Sequence, residues 1–136
     1  MKHYIIASHG TFAQGIYSSV EIIIGKQENV QIINGYVDDR DIKEQIQDAI
    51  ESIPEKDELI VFTDIFGGSV NNEFMKYLSV RSFHLISGMN LALLISVFLD
   101  KNENTKEAIK AVLKEVTSSV KYCNEEIEFD SVSEDF

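Results

Sequence analysis

The sequence is short of several things at once, and each shortage removes a class of function. One cysteine, Cys123, occurs in 136 residues. No disulfide can therefore form within the chain, and no CxxC or Cys/His cluster offers a metal or redox site. Its ordinary place would be in a core or strand. There is one proline, Pro54, and no tryptophan. Basic residues are scarce, with 12 Lys and Arg against 23 Asp and Glu, for a net charge of −11. That is the wrong sign for a surface that neutralises nucleic-acid phosphates, so no nucleic-acid partner is expected. No apolar run approaches the roughly eighteen residues of a membrane span, and the apolar part of MKHYIIASHG is too short for a signal peptide. The chain reads as cytoplasmic.

What is present is a regular alternation. With 44% hydrophobic residues, the chain suits one domain over residues 1–136, able to bury roughly two thirds of its unfolded surface. Solid apolar runs predict strands at 3–9 (HYIIASH), 30–35 (VQIING), 59–64 (LIVFTD) and 82–87 (SFHLIS). Helical stripes predict a helix over 12–24 ending at Gly25, and one over 38–53 capped by Asp38 or Asp39. Others follow the segment 66-FGGSVNN-72 through about Leu78, run from about Asn90 to Leu99, and pass through Ile109, Val112, Leu113 and Val116. The segment 120-VKYCNEEIEF-129 reads as a further, more polar strand at an edge or against a partner. The acidic ending 130-DSVSEDF-136 reads as a frayed tail. The order implies an α/β fold: a doubly wound, mostly parallel sheet of four strands with helices on both faces, plus that C-terminal strand.

In such a sheet, ligands sit beyond the carboxyl ends of the strands. Three glycine turns share that rim: 8-SHGTF-12, 64-DIFGGSVNN-72 and 87-SGMN-90, each leading into a helix. Unpaired amides at helix starts attract anions, and glycine lets an anion approach the backbone. No lysine or arginine lies between Lys2 and Lys26, Lys56 and Lys76, or Arg81 and Lys101. The P-loop pattern and the dinucleotide fingerprint are both absent, which disfavours nucleotides. What remains is an imidazole, His9, and a carboxylate, Asp64, with the hydroxyls of Ser8, Thr11 and Ser69.

A neutral imidazole is a competent nucleophile near neutral pH. A carboxylate on one ring N–H would fix the tautomer and stabilise the ring once the opposite nitrogen is substituted, while turn amides hold phosphoryl oxygens. The set suits a phosphohistidine. Each residue also has a plainer explanation: His9 as a hydrogen-bonded structural residue, Asp64 as a helix cap, Gly67 and Gly68 as a tight turn. His3 and His84, in apolar strand contexts, read as packing residues.

The ordered motifs 4-YIIASHGTFAQG-15, 61-VFTDIFGGSVNN-72 and 86-ISGMNLALL-94 resemble the IIA component of the mannose-type sugar phosphotransferase system, over roughly residues 3 to 120. The resemblance implies that His9 accepts a phosphoryl group from the carrier HPr and passes it to a IIB component, serving the IIC and IID membrane subunits indirectly. It implies that Asp64 orients the ring, that Gly10, Thr11, Gly67, Gly68 and Ser69 cradle the phosphate, and that neither a metal nor another cofactor takes part. It further implies a homodimer that exchanges the final strand, and sugar specificity held by the membrane subunits. Family members often carry proline after GGS and in the later turn, where this chain has Val70 and Ala92. Three other readings compete: the phosphocarrier subunit of dihydroxyacetone kinase, a receiver-like domain phosphorylated on Asp64, and a Ser/His/Asp hydrolase. The receiver would need an acidic pair after the first strand, where Ser8 and His9 stand, and the hydrolase a G-x-S-x-G elbow, which is absent.

Overall fold

The four solid apolar runs become the strands of one sheet in the computed structural model, which describes residues 1–127. They are β1 (Lys2–His9), β2 (Val30–Gly35), β3 (Glu58–Thr63) and β4 (His84–Ile86), all parallel and ordered β2-β1-β3-β4. The helices are α1 (Phe12–Ile24), α2 (Ile42–Glu51), α3 (Ser69–Tyr77), α4 (Leu91–Leu99) and α5 (Thr105–Val116). The chain divides into two compact units, Met1–Leu91 and the part from Ala92 onward. The first carries the whole sheet with α1, α2 and α3. In the second, α4 buries Leu93, Leu94 and Val97, and α5 buries Ala108, Ile109, Val112 and Val116.

Strand side chains alternate between faces, and the two faces have different neighbours. Ile5, Ala7, Ile33, Leu59 and Val61 form one core with Ile46 and Ile50 of α2 and Val70 and Phe74 of α3. A fully buried ring such as Phe74 contributes about 3 kcal/mol. On the even-numbered side, Ser8 Oγ accepts from Ala13 N at 2.7 Å and Asn34 Oδ1 from Gln14 N at 3.3 Å, which seats the first turn of α1. Helices therefore leave β1 and β3, which are neighbours, toward opposite faces. The crevice between their carboxyl ends is the switch point at which such sheets take ligands.

Several expectations are corrected. The cap of α2 is Asp41, whose Oδ1 accepts from Lys43 N at 2.9 Å. Asp38 instead turns the chain ahead of the helix, accepting from Arg40 N at 2.9 Å. β4 is shorter than the apolar run, because its register with β3 spans only His84 to Ile86. The strand expected over 120–129 is absent from residues 120–127, which hold a single 3-10 turn at Cys123–Glu125. A polar strand without a neighbour has no ladder to satisfy its amides. Residues 128–129 and the acidic ending 130–136 lie outside the described residues. Cys123 is exposed rather than in a core. Gly25 ends α1 as its position suggests, at φ 84° with its N–H on Glu21 O at 2.9 Å. Among the described residues no helix is long and apolar enough to cross a membrane.

Candidate active site

His9 is the last residue of β1, backed by the fully buried Ile5 and Ile6. Asp64 follows the last residue of the neighbouring β3. Parallel pairing, with Ala7 opposite Thr63, brings the two strand ends side by side. Asp64 Oδ2 accepts the His9 backbone N–H at 2.8 Å and lies 2.8 Å from the ring Nδ1. An ionised carboxylate only accepts, so Nδ1 carries the hydrogen, and in the neutral ring Nε2 presents its lone pair. Burial pushes the Asp64 carboxyl up, but hydrogen bonds from the His9 backbone and ring and from the Ile65 N–H outweigh it and hold the carboxyl below its ordinary value. The Asp64 side chain is 13% exposed and the His9 ring 45%. The imidazole is half-exposed while the carboxylate behind it is covered.

The Nε2 edge faces the start of α3. Ser69 Oγ is 3.2 Å from Nε2. Gly68 is the residue before the helix, and a Cβ there would stand 2.7 Å from Ile65 Cγ2 and 3.3 Å from His9 Cε1. Glycine at this place makes room for the imidazole. The first intrahelical bond runs from Asn72 N to Gly68 O, which leaves the amides of Ser69, Val70 and Asn71 without intrahelical acceptors. Positive dipole ends thus lie beside the lone pair.

Of the residues singled out from sequence, the fold brings His9, Asp64, Gly68 and Ser69 together. Gly10 and Gly67 take φ 62° and 82°, which side chains rarely adopt, so each shapes its turn. The Gly10 N–H is engaged by Gly35 O at 2.8 Å. Gly10 consequently offers space rather than a donor. Thr11 is the exposed residue before α1, and its side chain makes no cap. Ser8 is structural: it is fully buried and its hydroxyl bridges Ala13 N and Gly10 O. The asparagines of 67-GGSVNN-72 also have scaffold roles. Asn71 accepts from the buried Thr63 hydroxyl at 2.7 Å, and Asn72 donates to Gly67 O at 3.0 Å. The turn after β4 is tied to β3 through Met89 N and Thr63 O at 3.0 Å.

One residue of the site escaped sequence reasoning. Tyr36 follows β2 and stacks on His9, with ring centroids 5.4 Å apart and planes at 25°. Its hydroxyl is 2.7 Å from Ser69 Oγ. The available signal was topological: the end of β2 opens on the same rim as the other parallel strands, and 34-NGY-36 places an aromatic ring there. Phe12, Val37, Ile65 and Phe66, on the same rim segments, are also exposed.

Residues 3–117 match the family model EIIA-man, described as PTS system fructose IIA component. The chain belongs to this family. As a IIA component of the sugar phosphotransferase system (PTS), it is part of a chain that passes phosphoryl groups. The PTS system fructose-specific EIIA component of Bacillus subtilis is 25% identical over 132 residues, covering 94% of this chain and 90% of that protein. A Klebsiella pneumoniae structure assigned as a phosphoenolpyruvate-dependent sugar PTS permease aligns at TM-score 0.88 and 46% identity, covering 93% of each chain. An EIIA structure from Streptococcus agalactiae aligns at TM-score 0.76 and 28% identity, covering 92% of this chain and 99% of that one. The mannose/sorbose IIA subunit of Enterococcus faecalis shares the fold, at TM-score 0.81 and 21% identity over 98% and 100% of the two chains.

Proposed function

We propose that this IIA component, acting as one domain, carries a phosphoryl group on His9. It takes the group from the phosphohistidine of HPr and passes it to a histidine of a IIB component, on behalf of the IIC and IID membrane subunits. The observation that carries this reading is the division of labour on the His9 ring. Nδ1 is held by Asp64 at 2.8 Å, and Nε2 is left as an acceptor beside Ser69. In the step, the Nε2 lone pair forms a bond to phosphorus as the donor's N–P bond breaks. That bond's electron pair returns to the donor's ring nitrogen. The Nδ1 hydrogen stays on His9, so the substituted ring carries a positive charge, which the Asp64 carboxylate at 2.8 Å balances. Amides at the start of α3, the Ser69 hydroxyl and the turns at Gly67 and Gly10–Thr11 receive the phosphoryl oxygens. The mechanism uses neither a metal nor another cofactor.

The exposed apolar residues on the rim suit protein partners rather than a small solute, and the reaction would take place in the cytoplasm. Phosphorylation of Asp64 in the manner of a receiver is the weaker reading. Both carboxylate oxygens are engaged, Oδ2 by His9 twice and Oδ1 by Ile65 N at 3.0 Å. The role of a dihydroxyacetone kinase phosphocarrier would use the same His9 chemistry with a different acceptor. A homodimer exchanging the segment after α5 belongs to the same proposal. β4 is an edge strand of the sheet and offers such a segment a ladder, and sedimentation measurements of the mass in solution test it.

The decisive experiment is labelling with phosphorylated HPr. The expected outcome is one phosphoryl group per chain, stable in alkali and lost in acid, and no label on His9→Ala. A fully labelled His9→Ala protein, or an alkali-labile label, sinks the assignment.

A further inference from the structure

Tyr36 takes φ 65°, a left-handed conformation that a bulky residue adopts only where its surroundings hold it. What holds it is visible one residue earlier. A Cβ on Gly35 would lie 3.0 Å from Ser8 O and 3.0 Å from Ile42 Cδ1. Glycine thus lets the end of β2 close onto β1, and Gly35 O then receives the Gly10 N–H at 2.8 Å. The chain leaving this clamp has to turn, and the turn lays the tyrosine ring over His9. Asn29, the other non-glycine residue at positive φ among the described residues, at 59°, is of a type that tolerates it.

The hydrogen-bond chain has a single direction. In the neutral ring, the form that can act as a nucleophile, Asp64 accepts the hydrogen on Nδ1, so Nε2 can only accept. The hydrogen between Nε2 and Ser69 must then be the serine's own. Having given it, Ser69 Oγ can only accept from Tyr36, so the tyrosine donates. The order is Tyr36 O–H to Ser69 Oγ at 2.7 Å, then Ser69 O–H to His9 Nε2 at 3.2 Å.

We propose that Tyr36 is a positioning residue for the phosphoryl acceptor: its hydroxyl sets the direction of the Ser69 O–H, and its ring supports one face of the His9 imidazole. The inference rests on the phosphohistidine reading above. When a phosphoryl group occupies the Nε2 lone pair, the Ser69 O–H redirects its hydrogen bond to a phosphoryl oxygen. Tyr36 goes on donating to the serine oxygen, so its own hydroxyl does not have to be reoriented.

The test combines two readouts on the full chain. The first is the 15N spectrum of the His9 ring without any phosphoryl donor. Tyr36→Phe should move the Nε2 resonance in the direction Ser69→Ala moves it, and the double variant should match Ser69→Ala alone. The second is transfer from phosphorylated HPr. Tyr36→Phe should lower kcat by about tenfold, the equivalent of one hydrogen bond, with KM unchanged. The same substitution made in Ser69→Ala should have no further effect. Tyr36→Ala, which also removes the ring, should lower kcat beyond Tyr36→Phe. An unmoved Nε2 resonance, or full additivity of the Tyr36→Phe and Ser69→Ala losses, overturns the hydroxyl's part. Equal losses in Tyr36→Phe and Tyr36→Ala overturn the ring's part. If the wild-type protein takes no phosphoryl group on His9, the functional reading fails, while the ring spectrum still decides the hydrogen-bond chain.

Discussion

The same two strands carry a histidine–aspartate pair at each end, and only one of the pairs has the surroundings of a nucleophile. At the carboxyl end, His9 on β1 meets Asp64 after β3 at 2.8 Å. At the amino end, His3 on β1 meets Asp57 just before β3 at 3.0 Å. The His3 ring is 17% exposed and is bound through Nε2, and Asp57 also faces the N-terminal amine at 3.7 Å. The larger difference lies in what the backbone presents. The carboxyl end of a parallel sheet gathers helix starts, with free N–H groups and positive dipole ends, whereas the amino end gathers helix finishes and carbonyl oxygens. At that end Arg81 donates to Ile53 O at 2.6 Å, Pro54 O at 2.9 Å, and Ile50 O and Asp57 O at 3.3 Å. One end presents unpaired backbone donors and the other is closed by a cation. On the proposed function, a histidine–aspartate pair is thus chemistry in one place and structure in the other.

Exchanging the carboxylates breaks the comparison most forcefully. Asp64→Asn should slow transfer from phosphorylated HPr by about a hundredfold, because the amide no longer enforces the reactive tautomer. Asp57→Asn should transfer at the wild-type rate. Equal rates in the two variants would show that Asp64 only caps a turn.

A smaller effect tests the opposite end. Arg81→Ala removes charged hydrogen bonds to four carbonyls and should cost about 2 kcal/mol in urea unfolding, with labelling of His9 unchanged. The Arg81 Nε is buried without a hydrogen-bond partner among the described residues, which keeps the loss from being larger. A variant as stable as wild type would remove the structural role assigned to that end.

The smallest effect is in acid. The hydrogen bond from His3 holds the Asp57 carboxyl below its ordinary value, more than offsetting what burial does in the other direction. Asp64 is held down as well, by His9 and Ile65 against burial. Each folded value lies below the unfolded one. The stabilisation is therefore complete above about pH 4 and is lost as pH falls through the folded values. Wild-type unfolding free energy should fall on acidification below that point, and Asp57→Asn and Asp64→Asn should each flatten the fall. An unchanged slope in both variants would count against these pairs as the source.

How much of this was legible in the sequence varied with the kind of constraint. Strands buried on both faces are continuous apolar runs, so β1, β2 and β3 could be placed within a residue or so. The α2 boundary slipped because Asp38, Asp39 and Asp41 are all competent caps, and only the one directly before Ile42 acts as such. His9, Asp64 and Ser69 were legible because strand ends and helix starts gather at one rim in this topology. Tyr36 was not, because its place depends on a positive φ at a tyrosine, which propensity disfavours, and on a close strand approach at Gly35. The polar segment after α5 suggested a strand by composition alone, and pairing cannot be read from composition.

A single oxygen, Asp64 Oδ2, accepts both the backbone and the ring N–H of His9. Strand end and side chain are thereby indexed to the same atom, and the link to α1 consists of Gly10 and Thr11 alone. Insertions and deletions should accordingly be excluded from that link over evolutionary time. The longer α2–β3 connection, residues 52–57, is free to vary in length wherever the Arg81 contacts are kept.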